Sequence, residues 1–438
     1  ERNKFCQKVF LKGIIVYTII PTFYYFYAYL FKKYLSSSIL YFDQNMEIEL
    51  NIQQKKEFYS SLIEFLNTTE TNEIKQLIDI IEKLDFFKNK EEMISTLYLL
   101  SKIADNHNRF PYFIDKLGKI IQYLIQQMQT QISDFDIYQI FKNNKRFLLL
   151  LFDQGFIQPD EKIISDIMII NYENNFPYSH YLYSGIKSFI DKYTLKTIEN
   201  KIKTIYKEEI TDFVEKCRIG ENDSYICSLI RQDSVKEFIS YINRKNISLV
   251  SEIQPSIFET NLFLLQKTPT LIEYASFFGS IQIVRYLKYS GVSLPSSIWI
   301  YGIHSNNAEL IHFFEENANE PEKFDSVITH HRFLNRQEVS YNEIFAESIV
   351  CHHNEIADYI KDNFIEKDQI DNFGSCIVDC YNYYYFPNDI GYIISKSKNP
   401  KGFIISQLCN TLTQITIPPS VTKIGNDAFY ECSSLKQI

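Results

Sequence analysis

TLIEYASFFGSIQIVRYLKYSGV, residues 270–292, sets the frame for the whole 438-residue chain. Thr270 and Ile272 open a first helix, and Ala275 packs where that helix meets a second. Gly279 turns the chain, Ile283, Val284 and Leu287 line the inner face of the second helix, and Gly291 ends it. Two closely packed helices need a small residue at their contact, and a left-handed helix terminus is cheapest at glycine.

Outward from this unit the same frame recurs. Residues 231–249, 278–294, 305–321 and 351–364 each place a small polar pair before a helix, with apolar residues following at matching steps: Leu310, Ile311 and Phe314 in the third, Ile356 and Ile360 in the fourth. The segment 142–157 fits as well, and Gly302 and Ser348 stand at the positions equivalent to Ala275. Spacing is irregular: from Asp233 to Gly279 is 46 residues, to Asn306 a further 27, and to His352 another 46. On these residues the 270–292 unit resembles an ankyrin repeat. Residues from about 46 to 370 resemble the divergent ankyrin-like proteins of unknown function that are expanded in parasitic flagellate protists. That family brings no catalytic residues to carry over.

Between Glu47 and about Lys216, apolar residues recur every three or four positions, as in Ile74, Leu77, Ile78 and Ile81, and in Ile114, Leu117, Ile121, Leu124 and Ile125. These are amphipathic helices, broken at Asn67-Thr68-Thr69, at Asp105 to Asn108 and at Gln158-Pro159-Asp160. Twelve Gly and twelve Pro leave little material for β-turns, which also favours helices.

The two ends differ in character. Gly13 to Phe31 carries no charge, and as a helix it would span about 28 Å, close to a bilayer's hydrocarbon core. Residues 1–45 are read either as a hydrophobic extension with a membrane segment at 13–31 or as upstream text preceding a natural start at Met46. At the other end, Leu412, Ile415, Ile417, Pro418, Ser420, Val421, Ile424, Gly425, Ala428, Phe429, Cys432 and Leu435 match a BspA-type leucine-rich repeat, to which residues 412–438 are similar. A single such repeat cannot bury its own apolar face, so it is read as a truncated array.

The expected fold is therefore all-α: an ankyrin-like helix-hairpin repeat solenoid with a short β-containing leucine-rich repeat fragment at the C-terminus. Its expected divisions are 1–45, a helical region 46–215, ankyrin-like repeats 216–370, a connecting segment 371–411, and the fragment 412–438.

Net charge is −9, which argues against nucleic acid as a partner. Eight cysteines without a framework point to reduced thiols and a cytoplasmic location; a membrane-anchored location requires residues 13–31 to be native. Cys376, Cys380 and Cys409 lack the paired spacing of a zinc site, and the doublets His330-His331 and His352-His353 diverge on a helix and do not converge on one ion. No phosphate-binding glycine loop or nucleophile elbow occurs, so no catalytic residue, cofactor, metal or small-molecule substrate is expected. The expected function is a non-enzymatic protein-protein interaction scaffold. The alternative is a membrane-anchored surface or adhesion protein that uses the leucine-rich end. By the ankyrin frame, the exposed inner-helix contacts would be Phe277, Phe278, Tyr301 and His304. Phe277 and Phe278 have a second reading, as packing against the irregular segment before them.

Overall fold

The computed structural model describes residues 53–68, 74–83, 90–106, 111–128, 132–169, 176–321, 339–366 and 373–386. They are mostly helical, with no strand among them. Both readings of residues 1–45, the Cys409 thiol, the His330-His331 doublet and the leucine-rich fragment 412–438 lie outside the described residues. Among those described, no helix is long and apolar enough to cross a membrane.

The amphipathic spacing of the first half forms α1 (53–67), α2 (Ile74–Lys83), α3 (Lys90–Asn106), α4 (Pro111–Met128), α5 (Asp134–Phe141), α6 (Lys145–Asp153) and α7 (Glu161–Ile169). Short α8 (Tyr178–Tyr181) and α9 (Tyr183–Ile186) lead to α10 (Lys192–Lys201) and α11 (Ile210–Ile219). The stripes are core: Leu77, Ile81, Leu117, Ile121 and Leu124 are all buried. Helix starts fall where side chains satisfy orphan amides. Ser133, Asn144 and Asp191 accept from the first-turn N–H groups of α5, α6 and α10.

From residue 225 the helices come in pairs: α12 (Tyr225–Arg231) with α13 (Val235–Lys245), α15 (Leu271–Phe277) with α16 (Ile281–Tyr289), α17 (Ile298–Ser305) with α18 (Ala308–Asn317), and α19 (Tyr341–Val350) with α20 (Asn354–Phe364). A short α14 (Leu262–Gln266) sits between the first two pairs, and α21 (Gly374–Asp379) follows the last. First helices pack side by side, α12 on α15, α15 on α17, α17 on α19 and α19 on α21, while α13 packs on α16.

One turn recurs inside these pairs. Asp233, Gly279, Asn306, His352 and Tyr381 all have positive φ. The amide of each donates to the carbonyl three residues back, as Gly279 does to Ser276 at 3.1 Å and His352 to Ile349 at 3.1 Å. The next amide reaches five back in most of them: Ser234 to Leu229, Ser280 to Ala275, His353 to Ser348, Asn382 to Ile377. This left-handed stop closes the first helix and frees the chain to reverse. The first four of these residues are the ones that align the repeated segments in sequence, and Tyr381 adds a fifth inside the stretch read as a connection. In segment 142–157 the polar pair Asn143-Asn144 leads into α6 over buried Phe147, Leu148 and Leu151, without positive φ at Asn143; the left-handed residue there is Gly155, at the end of α6.

At four of the five turns the second member of the polar pair ties its unit to the one before. Ser280 Oγ donates to the Ile230 carbonyl at 2.6 Å, His353 Nδ1 to Ile303 at 2.7 Å, and Asn382 Nδ2 to Ile349 at 3.0 Å. Asn307 Nδ2 makes a longer bond to the Gly279 carbonyl, 3.4 Å. Each acceptor already takes a backbone amide of its own turn, Ile230 that of Asp233, Ile303 that of Asn306, Ile349 that of His352 and Gly279 that of Ile281, so the rung adds a second bond to a turn carbonyl and ties the units together. The His352-His353 doublet is thus a turn residue and a rung. Asp233 adds a cap across the same boundary, its carboxylate accepting from Gln282 and Ile283 amides at 3.0 Å.

Candidate functional site

The extra length between Asp233 and Gly279 is where the site is built. After α13 the chain runs through residues 247–261 to α14, which Asn261 caps by accepting from the Leu264 amide. Ser251 to Ile253 then lie against Pro269 to Leu271, joined by Ile253 N–H to the Pro269 carbonyl at 2.7 Å and Leu271 N–H to Ser251 at 3.0 Å. This tie places α14 across the first helices α15 and α17.

Phe263, on α14, stacks on Phe277 with ring centres 6.0 Å apart, meets Tyr301 edge-on at 5.0 Å, and lies 4.4 Å from His304. His304 in turn stacks on Phe277 at 4.8 Å. Here the expected exposed contacts are corrected: Phe277, Tyr301 and His304 are 5%, 6% and 2% exposed. Phe278 is half-buried against Tyr274 and Phe277. Leaving these rings in water would forgo roughly 25 cal/mol for each Å² of apolar surface, and α14 removes that penalty. The only hint in the sequence is the 46-residue spacing around the apolar run Leu262 to Leu265.

Beside the aromatic cluster opens a cleft of about 410 Å³, walled by Val250 and Glu252, by Lys267, and by Glu273, Ile300 and Tyr301. Glu273 closes a capping box, its carboxylate accepting from the Thr270 amide at 2.8 Å and hydroxyl at 2.9 Å. Lys267 is half-buried; desolvation lowers its pKa, while the charges of Glu347 and Glu273 act in the opposite direction. Burial, aided by Glu273, pushes the Tyr301 phenol far up, so it stays a neutral donor. Val250 is 63% exposed at the mouth.

Behind the cleft, His304 joins Glu347 of α19 and Cys351, the residue that caps its end. Its Nε2 lies 2.9 Å from Glu347 Oε1, and Cys351 Sγ is 3.4 Å from Nδ1 and 3.9 Å from Nε2. Glu347 and Cys351 are four apart, hence on one helical face. A thiol, an imidazole and a carboxylate in a row are the parts of a nucleophilic relay, yet Cys351 is 0% exposed, which closes its sulfur to any substrate. Cys376 and Cys380, the thiols weighed in sequence, are buried elsewhere under α19, facing the Ala346 and Ile349 carbonyls. Sequence reading missed Lys267, Glu347 and Cys351. The four-residue step from Glu347 to Cys351 was visible, but His304 stands 47 positions from Cys351 and no motif links them.

No protein-family model matches this chain, and no curated protein or solved structure is significantly similar to it.

Proposed function

We propose that the chain is a non-enzymatic protein-protein interaction scaffold, an ankyrin-like array of helix hairpins that receives an extended segment of a protein partner in the cleft over α15 and α17. The observation that carries this reading is the make-up of the cleft wall. It consists of the loops that lead into successive first helices, together with Glu273 and the largely buried Tyr301 of those helices. Stacked hairpins vary such positions without disturbing the core, because the turns and rungs that hold the stack lie at the opposite end of each first helix. Walls that mix Val250 and Ile300 with Glu252, Lys267 and Glu273 suit a peptide that offers both apolar side chains and hydrogen-bonding backbone. Phe263 and Tyr301 line the floor of the cleft, and Phe277 and His304 support them from beneath.

The test uses the full chain as bait in an extract of its native cell, followed by titration of each captured protein in purified form. Val250→Arg and Lys267→Gln are expected to weaken the specific partner at least about tenfold with unchanged thermal unfolding, while Tyr193→Asp, at an 82% exposed site on α10, leaves it bound. Equal binding by the wild type and both cleft variants would reject the cleft as the interface.

A further inference from the structure

We infer that α10 and the π-helical turn that follows it, Ile202–Tyr206, form a docking surface for an anionic membrane. Residues 187–207 carry six lysines, Lys187, Lys192, Lys196, Lys201, Lys203 and Lys207, against two acids, Asp191 and Glu199, within a chain of net charge −9. All six lysines are exposed, and among the described residues none of their side chains has an ion-pair or hydrogen-bond partner. Both acids are held by the protein itself. The Asp191 carboxylate accepts from the Tyr193 and Thr194 amides at 2.8 and 3.0 Å, and Glu199 accepts from the Tyr183 hydroxyl at 2.7 Å.

The helix turns these charges one way. Leu195, Ile198 and Ile202 face the core, so Lys192, Lys196 and Lys203, at steps of four and seven, come out on the opposite side together with Tyr193. Apolar side chains stand among them: Tyr193 is 82% and Ile205 61% exposed, and Phe189 lies in the open just before the cap. Lysines that flank protruding aromatic and aliphatic groups match the headgroup boundary of a bilayer. Ammonium groups meet lipid phosphate and carboxylate there, while the rings and Ile205 enter the acyl edge. A nucleic acid would set Ile205 against a polar backbone, and the stretch holds no arginine to fork onto phosphates. The negative charge on the rest of the chain is screened beyond a Debye length of about 8 Å, so the residues that face the lipid decide. This surface needs neither the cleft nor residues 13–31.

The experiment sediments the full-length chain with vesicles of phosphatidylcholine alone and with vesicles of phosphatidylcholine and phosphatidylserine in equal parts. Binding at least about a hundredfold tighter to the anionic vesicles is expected, weakening as salt is raised. Each lysine close to such a surface contributes about fivefold, so the combined change Lys192→Gln, Lys196→Gln and Lys203→Gln lowers that binding about a hundredfold, with unchanged thermal unfolding. Emission of the Tyr193→Trp variant, read against the buried Trp299, shifts to the blue on anionic vesicles only, because the new indole leaves water. Wild-type affinity that is equal for the two vesicles, or unaltered in the folded triple variant, overturns the proposal. So does a chain that ignores both vesicles yet holds single-stranded RNA through the same three lysines, and the patch is then a nucleic-acid surface.

Discussion

The Tyr59 hydroxyl meets Nδ1 of His352 at 2.9 Å across 293 positions of sequence. Asn354 Nδ2 donates to the same hydroxyl at 3.2 Å, so the phenol bonds two residues of this turn at once. Tyr98 stacks on Tyr381 with ring planes 3° apart, extending the contact to the next turn. The first helices thus seat on the left-handed turns of the last ones, and the core runs through both. Tyr59→Phe keeps the packing and removes the hydroxyl. It is expected to cost about 1–3 kcal/mol in urea unfolding, because the buried His352 nitrogen loses its partner.

Glycine to alanine should change sign between two helices. At Gly302 a Cβ would lie 2.5 Å from Phe314 Cε2, and Phe314 is completely buried, so Gly302→Ala is expected to destabilise by about 1–3 kcal/mol. At Gly118, inside α4, the nearest atom is Leu150 Cδ1 at an ordinary 3.5 Å. Gly118→Ala should stabilise by about 0.5–1 kcal/mol. Denaturant midpoints of the two variants side by side test the contrast.

Phe263→Ala removes the ring that covers Phe277, Tyr301 and His304. A cost of about 3–5 kcal/mol is expected from the cavity and lost apolar burial. Emission of Trp299, the single tryptophan and itself 1% exposed, follows the unfolding directly. A loss below about 1 kcal/mol would mean that α14 is not a structural cover.

Stability should fall with acid near His180. Burial first, and then the charge of Lys201, hold its pKa down to about 4 from the ordinary 6.5, and its Nδ1 sits 2.9 Å from the Tyr206 hydroxyl. The unfolded chain takes up a proton below pH 6.5 that the folded chain refuses until about 4. The neutral ring's contribution is complete above 6.5 and is lost progressively as pH drops towards 4. His180→Gln should flatten this part of the curve of urea midpoint against pH.

Local order is written in the residues themselves. The three- and four-residue apolar steps, the capping side chains Ser133, Asn144 and Asn261, and the pairs Asp233-Ser234, Gly279-Ser280, Asn306-Asn307 and His352-His353 mark helices and turns, because each acts within a few positions of its own backbone. The meaning of those pairs was only half legible. The first member's left-handed turn is local, whereas the second member's rung to a carbonyl about 30 to 50 positions away exists only once the hairpins stack. Tyr381-Asn382 escaped notice for the same reason, hidden beside the aromatic run Tyr383 to Phe386.

Which faces meet water was settled at longer range. A repeat frame read by itself leaves Phe277, Tyr301 and His304 outward, since nothing within the frame specifies a lid. Burial depends on which distant apolar run, here Leu262 to Leu265, comes to rest on them. The same holds for the trio His304, Glu347 and Cys351: local sequence supplies the groups and the four-residue step, and only the packing of α17 on α19 sets the imidazole between carboxylate and thiol.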